Sequence, residues 1–115
     1  MRDVVFVQGG GVGADQEAAV RRVLAAAGAG VALRTVFAGR AALERGLDPL
    51  PADVLAAVRA AGLALKTKLL PPAGSPTPTA HGPAAPPNFN VEFRRRLGLF
   101  ASVRPIHTMP RLPAP

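Results

Sequence analysis

Val4-Val5-Phe6-Val7 is an unbroken apolar run that ends at a cluster of glycines, the pattern of a short strand buried on both faces and paired in parallel. Residues 8–14 form the glycine-rich turn after it. A helix is predicted over residues 15–27, with Asp15 as its N-cap. Ala19, Val20, Val23, Leu24 and Ala27 fall on one side of that helix, and Gly28 and Gly30 end it. Residues 31–36 read as a second strand through the alternation of Val31, Leu33 and Thr35. A short helix over 39–45 comes next. The turn Asp48-Pro49-Leu50-Pro51 follows, and its last proline suits the first position of a helix over 52–61. Val54, Leu55 and Val58 are that helix's apolar face, and Gly62 stops it. Residues 63–66 are a third strand. Residues 67–87 hold seven prolines and read as a loop. Residues 90–97 form a short basic helix capped by Asn88 or Asn90, residues 100–103 a fourth strand, and residues 105–115 a proline-rich tail. The order β-α-β-α-α-β-loop-α-β predicts an α/β fold with a partial, mainly parallel sheet and flanking helices.

Charge divides the chain. Residues 1–53 carry six basic and six acidic residues, whereas residues 54–115 carry eight basic residues and one acid, Glu92. Eleven of the 13 prolines lie at or after Pro71. A basic second half points to an anionic partner: phosphate, carboxylate or nucleic acid. Nucleic acid is disfavoured, because the chain has no Tyr or Trp and five Phe for base stacking, and no recognised binding motif. Absence of cysteine excludes disulfides, Cys-ligated metals and a cysteine nucleophile. The two histidines, His81 and His107, exclude a multi-histidine metal site and read as solvent-exposed. No apolar stretch nears the roughly 18 residues that span a bilayer. The apolar start is too short for a secretory signal, so a cytoplasmic location is expected.

Three features are candidates for chemistry. Gly9, Gly11 and Ala14 fit a dinucleotide-binding turn loosely. Val36 and Phe37 stand where a ribose-binding acid is wanted, which favours a plain strand-to-helix turn. Arg94-Arg95-Arg96 cannot share one helix face and reads as a solvated basic surface. From it, Arg94 can converge with Arg104 on a carboxylate, which guanidinium forks match. Lys66 ends the third strand, where ligands of open α/β sheets bind, as any solvated lysine there also would. No nucleophile elbow, phosphate-binding P-loop or Ser-His-Asp spacing occurs, and no clear carboxylate pair for acid–base work.

Four stretches in order carry a resemblance: residues 4–13, residues 47–51 with Val54 and Leu55, residues 63–66 ending in Lys66, and residues 88–105. Together they are similar to the amino-terminal part of the isocitrate/isopropylmalate dehydrogenase family. The resemblance covers nearly the whole chain outside the proline-rich loop. It implies the fold of that family's amino-terminal part: residues 1–66 in the large domain, 67–87 a loop, 88–105 the substrate-binding helix and strand, and 106–115 a tail. It further implies oxidation of a 2-hydroxy di- or tricarboxylate with NAD or NADP, then decarboxylation, with Mg²⁺ or Mn²⁺. Arg94 and Arg104 match arginines that bind substrate carboxylates. Asn90 matches an asparagine between substrate and nicotinamide in isocitrate-type members, Asn88 stands for their serine, and Lys66 matches the strand-ending lysine on the cofactor side. Departures are Gly10 for an aspartate, Ala14-Asp15 for Pro-Glu, Thr67-Lys68 for Gly-Pro, and Pro71 for a threonine. The chain stops before the family's catalytic tyrosine, catalytic lysine and metal-binding aspartates. The expectation is therefore an amino-terminal portion without turnover of its own. The alternative is a noncatalytic interaction or anion-binding module, able to pair with a full-length relative.

Overall fold

A computed structural model describes residues 1–75 and 88–112 of the chain. β1 (Arg2–Gln8) is the middle strand of a three-stranded parallel sheet, flanked by β2 (Val31–Phe37) and β3 (Ala64–Lys66). Register runs from Arg2 opposite Val31 to Gln8 opposite Phe37 on one side. On the other, Val5 faces Ala64 and Val7 faces Lys66. The helices are α1 (Gly13–Ala26), α2 (Arg40–Leu43), α3 (Ala52–Ala61) and α4 (Phe89–Leu97). The central place of β1 explains its unbroken apolar run. Val5 and Val7 enter a core with Leu50, Val54, Leu55, Leu69, Phe89 and Phe93, which gathers α3 and α4 on one face. Val4 and Phe6 point the other way and are buried as fully, Phe6 beside Gln16 and Val20 of α1. The α/β class and the parallel sheet are as expected.

Local departures have local causes. Helix α1 begins at Gly13, not Asp15, because Gly13 N–H bonds the Gly10 carbonyl and Gln16 N–H bonds the Val12 carbonyl. Asp15 sits in the first turn, where its charge still favours the helix dipole. The buried or half-buried line of α1 is Gly13, Glu17, Val20 and Leu24, whereas Ala19, Val23 and Ala27 are exposed. Pro51 is the N-cap of α3 rather than its first residue, and its carbonyl accepts from Val54 and Leu55. The expected strand over 100–103 is absent. That segment has no regular structure, pairs with no described strand, and leaves Phe100 fully exposed. Apolar residues become a strand only where a neighbour offers a hydrogen-bond ladder. His81 and most of the expected proline loop lie outside the described residues.

Residues 67–71 form a strap across the carboxyl ends of β1 and β2. Thr67 N–H donates to the Val7 carbonyl at 3.0 Å, and Gly9 N–H donates to Thr67 Oγ1 at 2.8 Å. Leu70 N–H donates to the Gly9 carbonyl, and its own carbonyl accepts from Arg40 N–H. Arg40 Nε then bonds the Pro71 carbonyl at 2.9 Å. The strap lies so close that a Cβ at Gly9 would overlap the Lys68 carbonyl oxygen and stand 2.7 Å from the Leu69 Cα. Gly39, at φ 60°, makes the second close approach, with a Cβ there 3.0 Å from the Leu70 carbonyl oxygen.

On the opposite face Glu17 is buried and joins three elements. It accepts from Gln8 Nε2 of β1 at 2.8 Å, from Arg21 of α1 at 2.7 Å, and from the Thr35 hydroxyl of β2. Burial alone raises its pKa. The bonds from Thr35, Arg21 and Gln8, with the Arg21 charge, outweigh burial and hold the carboxyl below its ordinary 4.5.

A depressed carboxyl stabilises the fold above its unfolded pKa and loses that contribution as pH falls through the folded value. Denaturant midpoints of the wild-type chain should therefore decline below about pH 4.5, and Glu17→Gln should flatten that limb; an unchanged limb refutes the assignment. Thr67→Val leaves Gly9 N–H buried without an acceptor and should cost about 1–3 kcal/mol in urea unfolding, with Thr67→Ser near wild type. Gly9→Ala should cost more, about 3 kcal/mol or above, because backbone has to move.

Candidate functional site

The carboxyl end of β3 meets α4 across a groove of about 470 Å³. Val58, Leu63, Ala64, Phe93, Leu97 and Leu99 line its apolar part, and Arg59, Lys66 and Arg94 its cationic part. No carboxylate lines it among the described residues. Topology sets this arrangement: β3 delivers Lys66 at its end, and α4 packs against α3. There the Arg59 guanidinium donates to the Arg96 carbonyl.

The three arginines of α4 diverge as their 100° spacing requires. Arg95 and Arg96 pair with Glu92 at 3.1 and 3.2 Å on the solvent side. Arg94 alone turns to the groove, its Nε donating to the Asn90 carbonyl at 3.3 Å. Burial and the neighbouring Arg94 charge hold the Lys66 ammonium below the ordinary 10.5. Two like charges kept side by side without a counterion make a place for an anion.

Asn88 is the N-cap of α4: its Oδ1 accepts from Asn90 N–H at 3.2 Å and Val91 N–H at 3.3 Å. Asn90 is not the cap. Its Oδ1 accepts from Lys66 Nζ at 2.8 Å and Leu69 N–H at 2.9 Å, and its Nδ2 donates to the Leu69 carbonyl at 3.1 Å. Lys66, Asn90 and Arg94 are thus brought together. Arg104 is not among them: it lies on the exposed segment after α4, with no hydrogen bond to a described residue. His107 is exposed on the same segment.

The glycine turn after β1 is a turn and not a phosphate cradle. Gly9 N–H is taken by Thr67, and the space that a missing side chain leaves is filled by the strap. Sequence reasoning missed Thr67 and Arg40, which close the strap at its two ends. The one available signal was that Thr67-Lys68 departs from the resembled pattern. Among the described residues no three acids or histidines cluster to hold a metal ion, and no helix is long and apolar enough to cross a membrane.

Comparison with known proteins bears on the family and the fold. The NADP isocitrate dehydrogenase of Haloferax volcanii is 32% identical over 116 residues, covering 97% of this chain and 26% of its own length. That of Archaeoglobus fulgidus is 33% identical with the same two shares. The crystal structure of isocitrate dehydrogenase from Methylococcus capsulatus superposes with a TM-score of 0.67 at 30% identity, over 86% of this chain and 26% of that one. The chain therefore spans about a quarter of the length of the curated relatives it matches. The family description isocitrate/isopropylmalate dehydrogenase matches residues 3–115, and with that span the chain belongs to the isocitrate/isopropylmalate dehydrogenase family, an oxidoreductase family.

Proposed function

We propose that this chain supplies the carboxylate-holding portion of an isocitrate-type enzyme. That enzyme oxidises a 2-hydroxy di- or tricarboxylate with NAD or NADP and releases carbon dioxide. One observation carries the proposal: Lys66 and Arg94 face one groove with no acid among the described residues against them. A bound nicotinamide would supply the hydride acceptor for such a reaction. What the chain's own side chains do is hold carboxylates. A guanidinium and an ammonium on two rigid elements fix the acid's orientation, which lowers the entropic part of the barrier. Arg104, exposed on the segment after α4 and outside the groove, is proposed as a third carboxylate contact on the strength of the resemblance.

The family's divalent cation does not fit the donors present. Among the described residues no acid cluster exists, and Glu92 is engaged by Arg95 and Arg96. Nor does the glycine turn fit a dinucleotide phosphate, since the strap fills it. The chain alone is proposed to bind substrate without turning it over. A noncatalytic anion-binding module is the second reading, favoured by that same lack of metal donors. NADPH formation with isocitrate and Mg²⁺ would exclude it.

Isocitrate should bind the wild-type chain in calorimetry, and Lys66→Ala and Arg94→Ala should each weaken it about tenfold or more. Unchanged affinity in both variants overturns the proposal. Arg104→Ala measures the third contact in the same titration. Affinity should fall as pH rises through the lowered Lys66 value, below 10.5. Lys66→Arg should remove that limb, because a guanidinium stays charged.

A further inference from the structure

The Asn90 carboxamide is spent inside the chain. It meets the main chain of Leu69, 21 residues earlier, in both directions: Oδ1 accepts the N–H and Nδ2 donates to the carbonyl. This is the pairing one strand residue offers another, made by a side chain. Leu69 is 1% exposed and sits in the middle of the strap. The remaining acceptor direction of Oδ1 takes Lys66 Nζ at 2.8 Å. Apart from the Arg59 bond to the Arg96 carbonyl, these are the hydrogen bonds that fasten α4 to the rest of the described chain. Asn88 contributes from behind, its Oδ1 standing 3.5 Å from Asn90 Nδ2.

We propose that Asn90 is a positioning residue, acting on the strap and on Lys66. Its amide fixes the height of Leu69 above the sheet and the direction of the Lys66 ammonium in the groove. Only a carboxamide at this reach does both. Aspartate lacks the donor to the Leu69 carbonyl, alanine lacks both contacts, and glutamine is one methylene too long. The charged groups facing Lys66 are Arg94 of α4 and Arg59 of α3, and no carboxylate lines the groove among the described residues. Asn90 Oδ1 is thus the neighbouring acceptor that favours the protonated lysine. The value of this placement for binding rests on the carboxylate reading above. The clamp itself is a property of the ligand-free chain.

The test is hydrogen exchange at the Leu69 amide, together with the NMR titration of the Lys66 ammonium, both without ligand. In Asn90→Ala the Leu69 amide should exchange about tenfold faster or more, and Lys66 should lose its proton at lower pH than in the wild type. In Asn90→Asp the Leu69 amide keeps an acceptor and most of its protection, while the new carboxylate moves the Lys66 titration upward. A residue that serves only to touch a ligand would leave both readouts at wild-type values, and that result in Asn90→Ala overturns the proposal. If Asn90→Ala fails to fold, Asn90→Asp decides, and an unmoved Lys66 titration there is equally fatal. Isocitrate calorimetry on the wild type keeps the two readings apart. Clamped Leu69 with no isocitrate bound sinks only the carboxylate site, whereas bound isocitrate with unclamped Leu69 sinks only the positioning role.

Discussion

Everything at the carboxyl edge of the sheet depends on one close backbone crossing, that of residues 67–71 over Gly9 and Gly39. At Gly9 another stretch of main chain occupies the place of a side chain, and at Gly39 a Cβ would be strained by the positive φ and stand 3.0 Å from the Leu70 carbonyl oxygen. Polar backbone groups in such a crossing have little access to water and need partners. The chain provides them from four directions: Thr67 and Gly9, Leu70 and Arg40, Arg40 and Pro71, Asn90 and Leu69. Once the crossing is made, Lys66 has one exit, Leu69 has one depth, and α4 has one place to land.

The division of charge follows from this construction. Several acids of the first half serve local structure: Glu17 in α1, Asp48 accepting from Leu50 N–H at 2.8 Å, Asp53 in the first turn of α3. Near the groove the one late acid, Glu92, faces away and neutralises Arg95 and Arg96. Arg94 and Lys66 face no acid among the described residues that line the groove. A high net charge is therefore less informative than where its counterions are missing.

Much of the architecture was legible because it is written in short-range signals. The run Val4 to Val7 marks a buried strand, and the glycines at 28 and 62 and the prolines at 49 and 51 mark element ends by steric rules that act within a few residues. What was not legible depends on partners distant in the chain. Thr67 is an unremarkable threonine until Gly9, 58 residues earlier, comes under it. Residues 100–103 have strand-like composition, yet no described strand is beside them to pair with. The divergence of the three arginines was readable from helical geometry alone. That Asn90 would spend its amide on Leu69 was not, since the resemblance directed that side chain toward a ligand.

The seating of α1 on the sheet has a consequence for how this half of the fold keeps its alignment. A helix that rests on alanines and valines is held by contacts that look much alike one turn along, so it can slide or roll at small cost. Here the middle of the seat is a carboxylate with donors from two neighbouring strands and from its own helix, and each donor has a fixed angle of approach. Such a joint works like a key with one depth. A shift of a single turn would break all three bonds at once, so α1 docks in one way or comes off.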